Sequence, residues 1–304
     1  MTRLKKSIRN LARNRYLWLI AIPGLIYFFI FKYLPMYGVI IAFKNYSIRK
    51  GILGSDWAGL KYFFQYFNAF DFWRTLRNTL QISLYTLIFG FPAPIVLALL
   101  LNEVTYSKFR KAVQTISYIP HFMSTVIIVG ILVNMVNPIN GLANEFIKLF
   151  GGNPINFMGE SQWFRPLYVI TNIWQYAGWT SIIYLAALSG IDPMLYESAV
   201  IDGANRFQAL IRITIPSLLP TIIIMFIVRM GRLMSVGMEK ILLMYSPGTY
   251  ETADVITTYV YRRGLLGMQY SFGAAVGLFN SMINITFLLT FNYIAKRYSE
   301  TSLF

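Results

Sequence analysis

The sequence predicts an all-α integral membrane protein, and three observations lead there. Uncharged apolar runs of about 20 residues recur along the chain, the length a helix needs to cross a hydrocarbon core. Hydrophobic residues make up 56% of the 304 residues and charged residues only 13%, against roughly 45–50% and 25% in an average soluble domain. The basic residues behind the formal charge of +15 gather beside the apolar runs and not in one stripe, so positive-inside anchoring accounts for them better than nucleic-acid binding. Backbone groups in hydrocarbon need internal partners, and the runs lack the dyad alternation of barrel strands. Helices are therefore expected.

The first run follows Arg3, Lys5, Lys6, Arg9, Arg13 and Arg15. A cleaved signal would have a shorter apolar core and a small-x-small site, whereas this run continues through Phe31 into Lys32, Leu34 and Pro35. It reads as a retained membrane helix. Six spans are expected, over residues 16–36, 80–101, 113–136, 164–188, 215–233 and 272–294. With the N-terminus inside, Lys108, Arg110 and Lys111 after the second span and Lys296 and Arg297 at the other end become cytoplasmic, and both termini share that side. The first external loop dissents, through Lys44, Arg49, Lys50, Lys61, Arg74 and Arg77.

The loop over residues 37–78 is rich in aromatic side chains, among them Trp57, Phe63, Tyr66 and Trp73, which suit an outer interface, with a short amphipathic helix near residues 59–70. The chain divides into residues 1–79, holding the basic segment, first helix and aromatic loop, and a five-helix core over residues 80–304. Zero cysteines exclude disulfides, thiol nucleophiles and Cys-based metal sites.

Between the fourth and fifth spans, Asp192 suits an N-cap and Pro193 the first helical position, and Gly203 to Asn205 tolerate the left-handed conformation that ends a helix. The predicted helix, within about residues 192–205, is roughly 16 Å long and too short to span a bilayer. Ala199 and Gly203 lie four apart on one face, a smooth strip for close packing, with Glu197 and Asp202 beside it.

These residues resemble the cytoplasmic signature of binding-protein-dependent ABC importer permeases: Glu-Ala-Ala, three residues, Gly, nine residues, Ile, one residue, Leu-Pro. Glu197-Ser198-Ala199, Gly203, Ile213 and Ile215-Pro216 fall at the required spacings, with Ser198 for Ala and Ile215 for Leu. The resemblance runs from about residue 80 to residue 298 and is strongest to the sugar-uptake branch, in particular permeases for oligosaccharides and polysaccharide fragments. It implies a type I ABC importer permease fold of six transmembrane helices in the bacterial cytoplasmic membrane. Glu197, Ser198, Ala199, Asp202, Gly203, Ala204, Ile213 and Pro216 would form the ATPase-coupling element. The implied partners are a second permease, two cytoplasmic ATPases holding ATP and magnesium, and an extracytoplasmic solute-binding protein. A heterodimeric pore is expected.

The chain carries no phosphate-loop motif and no His-Glu-x-x-His, so it is expected to bind no cofactor or metal itself and to have no catalytic residue. His121, the only histidine, reads as a helix-kink or headgroup contact. Polar side chains inside the spans are the substrate-path candidates. Arg229 and Arg232 lie three apart on one helix face; they line a cavity or snorkel to headgroups. Trp174, Gln175 and Tyr176 offer the stacking and amide chemistry a glycan needs, or an interfacial belt. Asn280 and Asn284, with Gly273, Gly277 and Ser281, share a face of the last span and serve either helix packing or a pore. Two alternatives stay open: a permease of the same family for peptides or amino acids, and a membrane-embedded glycan or lipid transferase. Whether the glycan is acidic or neutral stays open too.

Overall fold

The computed structural model describes residues 15–298. Arg3, Lys5, Lys6, Arg9 and Arg13, and with them the expected side of the N-terminus, lie outside those residues. The chain forms two compact units, one made of the described residues up to Phe67 with Arg263–Leu278, the other of Asn68–Arg262 and the residues from Phe279 onward.

In the first unit, α1 (Tyr16–Phe43) has 28 residues and a mean hydropathy of 1.9, and none of its most apolar stretch is buried. A hairpin of β1 (Lys44–Asn45) and β2 (Asp56–Trp57) follows, with Lys44 opposite Trp57. Ser271 Oγ ties it down, donating to the Lys44 carbonyl at 2.6 Å and accepting from the Tyr46 N–H at 2.9 Å. The ring of Phe43 stacks on Trp57 at 5.9 Å. The expected short helix is present as α2 (Lys61–Phe67).

The second unit holds α3 (Phe72–Glu103), the bent pair α4 (Ser107–Phe122) and α5 (Thr125–Met135), α6 (Leu142–Leu149), α7 (Ser161–Ser189), α8 (Pro193–Ile201), α9 (Arg206–Met230) and α10 (Met238–Met244). The final helix, α11, is Tyr270–Tyr298. Among the described residues four helices, α1, α3, α9 and α11, are long and apolar enough to cross a membrane, or five crossings if the bent pair counts as one. The expected fourth span lies in α7. Its 29 residues reach roughly 44 Å at 1.5 Å each, but Arg165, Asn172 and Gln175 make it less apolar than the others.

Three boundaries differ from expectation for physical reasons. The second span starts at Phe72, not near residue 80, because its polar residues find partners: Thr75 Oγ1 donates to the Asp71 carbonyl at 2.9 Å, and Asn78 Nδ2 donates to the carbonyls of Glu251 and Asp254 at 2.9 Å each. The third span is not straight. It bends by 106° between α4 and α5, where Pro120 removes a ladder donor and Ser124 caps the new helix by accepting from the Ile127 N–H at 3.3 Å.

The fifth span stops at Met230, short of residue 233. Beyond it the unwound backbone is served by side chains, as buried non-helical backbone in a membrane requires. Ser83 Oγ donates to the Leu233 carbonyl, Asn284 Oδ1 accepts from the Met234 N–H at 2.8 Å, and Asn280 Nδ2 donates to the Met234 carbonyl at 3.5 Å.

Around α7 the packing is close. A methyl group at Gly178 would collide with the Ser117 carbonyl on α4, so only glycine allows this approach of two backbones. Tyr184 and Leu188 of α7 share an apolar core with Ala98 of α3 and Leu218 of α9. Asp254, fully buried, is held by Arg262 at 2.7 and 2.8 Å and by Arg74 at 3.1 Å. Arg74 is thus helical and ion-paired, one physical reason why it fits no loop-charge rule.

Candidate functional site

The signature residues sit on and around α8. Asp192 caps it, its carboxylate accepting from the Met194 N–H at 2.9 Å. At the other end Ala204 N–H donates to the Ala199 carbonyl at 2.8 Å and Gly203 N–H to the Val200 carbonyl at 3.0 Å. That pair of bonds is a Schellman stop, and it requires the left-handed φ of +78° found at Gly203. Asn205 then starts α9 with a capping box to Gln208.

Glu197, Ser198, Asp202 and Gly203 are exposed, Ala199 and Ala204 half-buried. Around them Met194, Val200, Ile201 and Phe207 are 70%, 71%, 85% and 68% exposed, so α8 is an apolar ridge uncovered among the described residues. One bond fastens it to α9, between the Tyr196 hydroxyl and Thr214 Oγ1 at 2.9 Å. Ile213 is half-buried and Pro216 exposed; both lie in α9 near a π-helical turn over Leu210–Thr214.

The second feature is a cavity of about 630 Å³ between α3, α7, α9 and α10. Arg229, in the last turn of α9, and Arg232, in the turn after it, both line it. They share the wall of one cavity without sharing a helix face. Tyr176 lines it too, but Trp174 and Gln175 do not: Trp174 is 43% exposed and Gln175 is buried. A helix turns by about 100° per residue, so three consecutive side chains cannot face one space, whereas residues four apart do. The α7 wall accordingly follows two adjacent rows four residues apart, Tyr168, Asn172, Tyr176, Thr180 and Tyr184 in one and Ile173 and Ala177 in the other. Asn280 and Asn284 bond the backbone behind Arg232, outside the lining.

Two charged wall residues, Glu239 and Lys240, were not legible beforehand, because in the sequence they look like a solvated loop. Lys240 is 4% exposed, and its Nζ has no hydrogen-bond partner among the described residues. It lies 5.8 Å from the Tyr168 ring centroid and 5.3 Å from that of Tyr176. Burial pushes its ammonium down to about 8. The Tyr168 hydroxyl is fixed by accepting from the Gly237 N–H at 3.1 Å. His121 stacks flat on Trp179 at 4.7 Å. No cluster of three or more metal-ligating side chains occurs among the described residues.

A family model described as the binding-protein-dependent transport system inner membrane component matches residues 90–300. The polygalacturonan/rhamnogalacturonan transport system permease protein of Bacillus subtilis is 43% identical over 300 residues, covering 99% of this chain and 94% of that protein. Protein LplB of the same organism is 44% identical over 294 residues, covering 97% and 92%. Among solved structures, a chain of a bacterial alginate ABC transporter, crystallised in complex with an alginate pentasaccharide-bound periplasmic protein, matches with a TM-score of 0.89. That chain is 43% identical, and the match covers 97% of this chain and 99% of that one.

Proposed function

The chain belongs to the family of binding-protein-dependent transport system inner membrane components, and on that premise we propose that it is the permease subunit of an ATP-driven oligosaccharide importer, with the cavity as substrate path and α8 as the ATPase-coupling helix. The observation that carries this reading is the cavity wall. Tyrosine faces, an amide and guanidinium forks are the groups that stack on sugar rings and bond their hydroxyls. The relatives named for polygalacturonan, rhamnogalacturonan and alginate support the same class.

The proposed topology has six crossings, α1, α3, the α4–α5 pair, α7, α9 and α11, with both termini and α8 cytoplasmic in a bacterial inner membrane. A second permease completes the pore, an extracytoplasmic binding protein delivers the glycan, and two ATPases bind ATP and magnesium below. The chain makes and breaks no covalent bond. Its part is mechanical: α9 starts beside α8, is fastened to it through Tyr196 and Thr214, and carries Arg229 at its far end. Its 25 residues span roughly 37 Å, so a tilt imposed at α8 by closing ATPases moves the cavity wall. Alternating access follows.

The test is reconstitution of the whole complex with its binding protein and a panel of oligosaccharides, peptides and amino acids. Oligosaccharides should stimulate ATP hydrolysis and accumulate inside vesicles; stimulation by peptides or amino acids alone would overturn the assignment.

A further inference from the structure

Lys240 is the anomaly of the cavity. A buried ammonium normally has an acidic partner, because desolvating a charge without one is costly. Here Nζ has no hydrogen-bond partner among the described residues, and its chain neighbour Glu239 forms no ion pair with it. Two tyrosine faces stabilise a cation within about 6 Å but leave its N–H donors unused. Arg229 and Arg232 line the same wall, so three cations face one carboxylate, Glu239. A wall with that excess, in a protein that otherwise pairs its buried charge as at Asp254, is arranged for an anion that comes and goes.

We propose that Lys240 reads a carboxylate of the transported glycan, with the ammonium held between Tyr168 and Tyr176 and pairing with a uronate as the adjacent rings stack on the tyrosines. The cargo is then an acidic oligosaccharide. Arg229 and Arg232 receive the carboxylates of neighbouring residues, and their planar forks suit bidentate pairing. Neutral sugars lack the group that neutralises the wall and are disfavoured. This inference rests on the reading of the cavity as the substrate path.

The experiment compares the parental complex with Lys240→Met and Lys240→Arg variants in proteoliposomes, using a galacturonate trimer and its fully methyl-esterified form, which keeps rings and linkages and removes charge. Each variant is expressed as a ratio to the parental complex for each sugar, so that the binding protein's own preference cancels. Loss of one charge-assisted pair corresponds to about a tenfold effect. Uptake of the acid trimer by Lys240→Met should fall by about that factor and uptake of the ester change by less than about twofold, while Lys240→Arg retains most of the acid uptake. Equal losses for both sugars would make Lys240 a structural residue and overturn the proposal, as would no loss for either. Parental uptake of neutral oligosaccharides alone refutes the acidic cargo and leaves the importer assignment standing. No uptake of any oligosaccharide refutes both.

Discussion

Gly203 separates two reasons for a glycine in the proposed coupling element, and substitution there tells them apart. At φ +78° an L-residue such as alanine costs about 1–2 kcal/mol, which lowers the share of correctly terminated α8 ends by roughly 5- to 30-fold. A methyl group at that Cα meets nothing within 4 Å, so strain is the whole cost within the chain. Asparagine tolerates the left-handed region and adds little strain, but it projects a longer side chain onto the exposed face.

Because α8 is exposed and can open locally, neither Gly203→Ala nor Gly203→Asn should move the thermal unfolding of the purified permease by more than about 2 °C. If the face docks against an ATPase with close backbone approach, both variants lose ATPase co-purification and transport, alanine by strain and asparagine by bulk. Parental co-purification and uptake in Gly203→Asn would refute the close-contact reasoning and leave the glycine a helix stop only.

Asp254→Asn leaves Arg262 and Arg74 facing a buried neutral side chain. Breaking a buried pair costs about 3–5 kcal/mol, and because both arginines are a quarter or more exposed the lower end applies, read as a drop of several degrees in thermal unfolding of the purified complex. Cysteines placed at Ser107 and Asn140 of this cysteine-free chain should differ toward an impermeant thiol reagent on intact cells, with Asn140→Cys labelled and Ser107→Cys shielded; the reverse pattern would invert the topology. Lys240 lies outside the spanning helices, and burial lowers it to about 8, so its charge is present below that pH and lost as pH rises through it. With Arg229, Arg232, Glu239, Tyr168 and Tyr176 around it, uptake of an acid trimer should fall as external pH passes about 8, more steeply than uptake of its ester, and Lys240→Arg should abolish the difference.

The helix α8, proposed as the coupling element, was readable as a helix because its determinants are local. A capping Asp, a Pro at the first helical position and a Gly at the stop act within a few residues of sequence, and each takes the expected place around α8. The cavity was only half readable. Arg229 and Arg232 stood out because charge is rare in a span, but the α7 wall follows a four-residue period that a cluster of adjacent polar and aromatic residues conceals. Tyr168, eight residues before Tyr176, drew no notice for that reason. Lys240 was hidden for a different one: the rings it packs between, Tyr168 and Tyr176, belong to α7, which is distant in sequence. Nor could hydropathy find the bend between α4 and α5 or the early end of α9, since each unwound stretch is short and keeps apolar residues, Met123 in the first and Leu233, Met234 and Val236 in the second, that blur its edge in a span-length average.

The early end of α9 also bears on the proposed mechanism. Were α9 continuous to residue 233, Arg229 and Arg232 would move as one rigid face. Instead Arg229 belongs to the helix fastened to α8, whereas the segment just after Arg232 is bonded by Asn284 and Asn280 of α11 and by Ser83 of α3. Arg232 stays joined to the last turn of α9, its N–H donating to the Arg229 carbonyl at 3.0 Å, while the backbone just after it is held from α11 and α3 as well. In the proposed mechanism a tilt of α9 acts directly on Arg229 and works against this second hold at Arg232, so the spacing of the two cations is what changes between states. Within that proposed mechanism Asn280 and Asn284 of α11 act by holding the backbone at Met234, a role that needs no contact with the glycan.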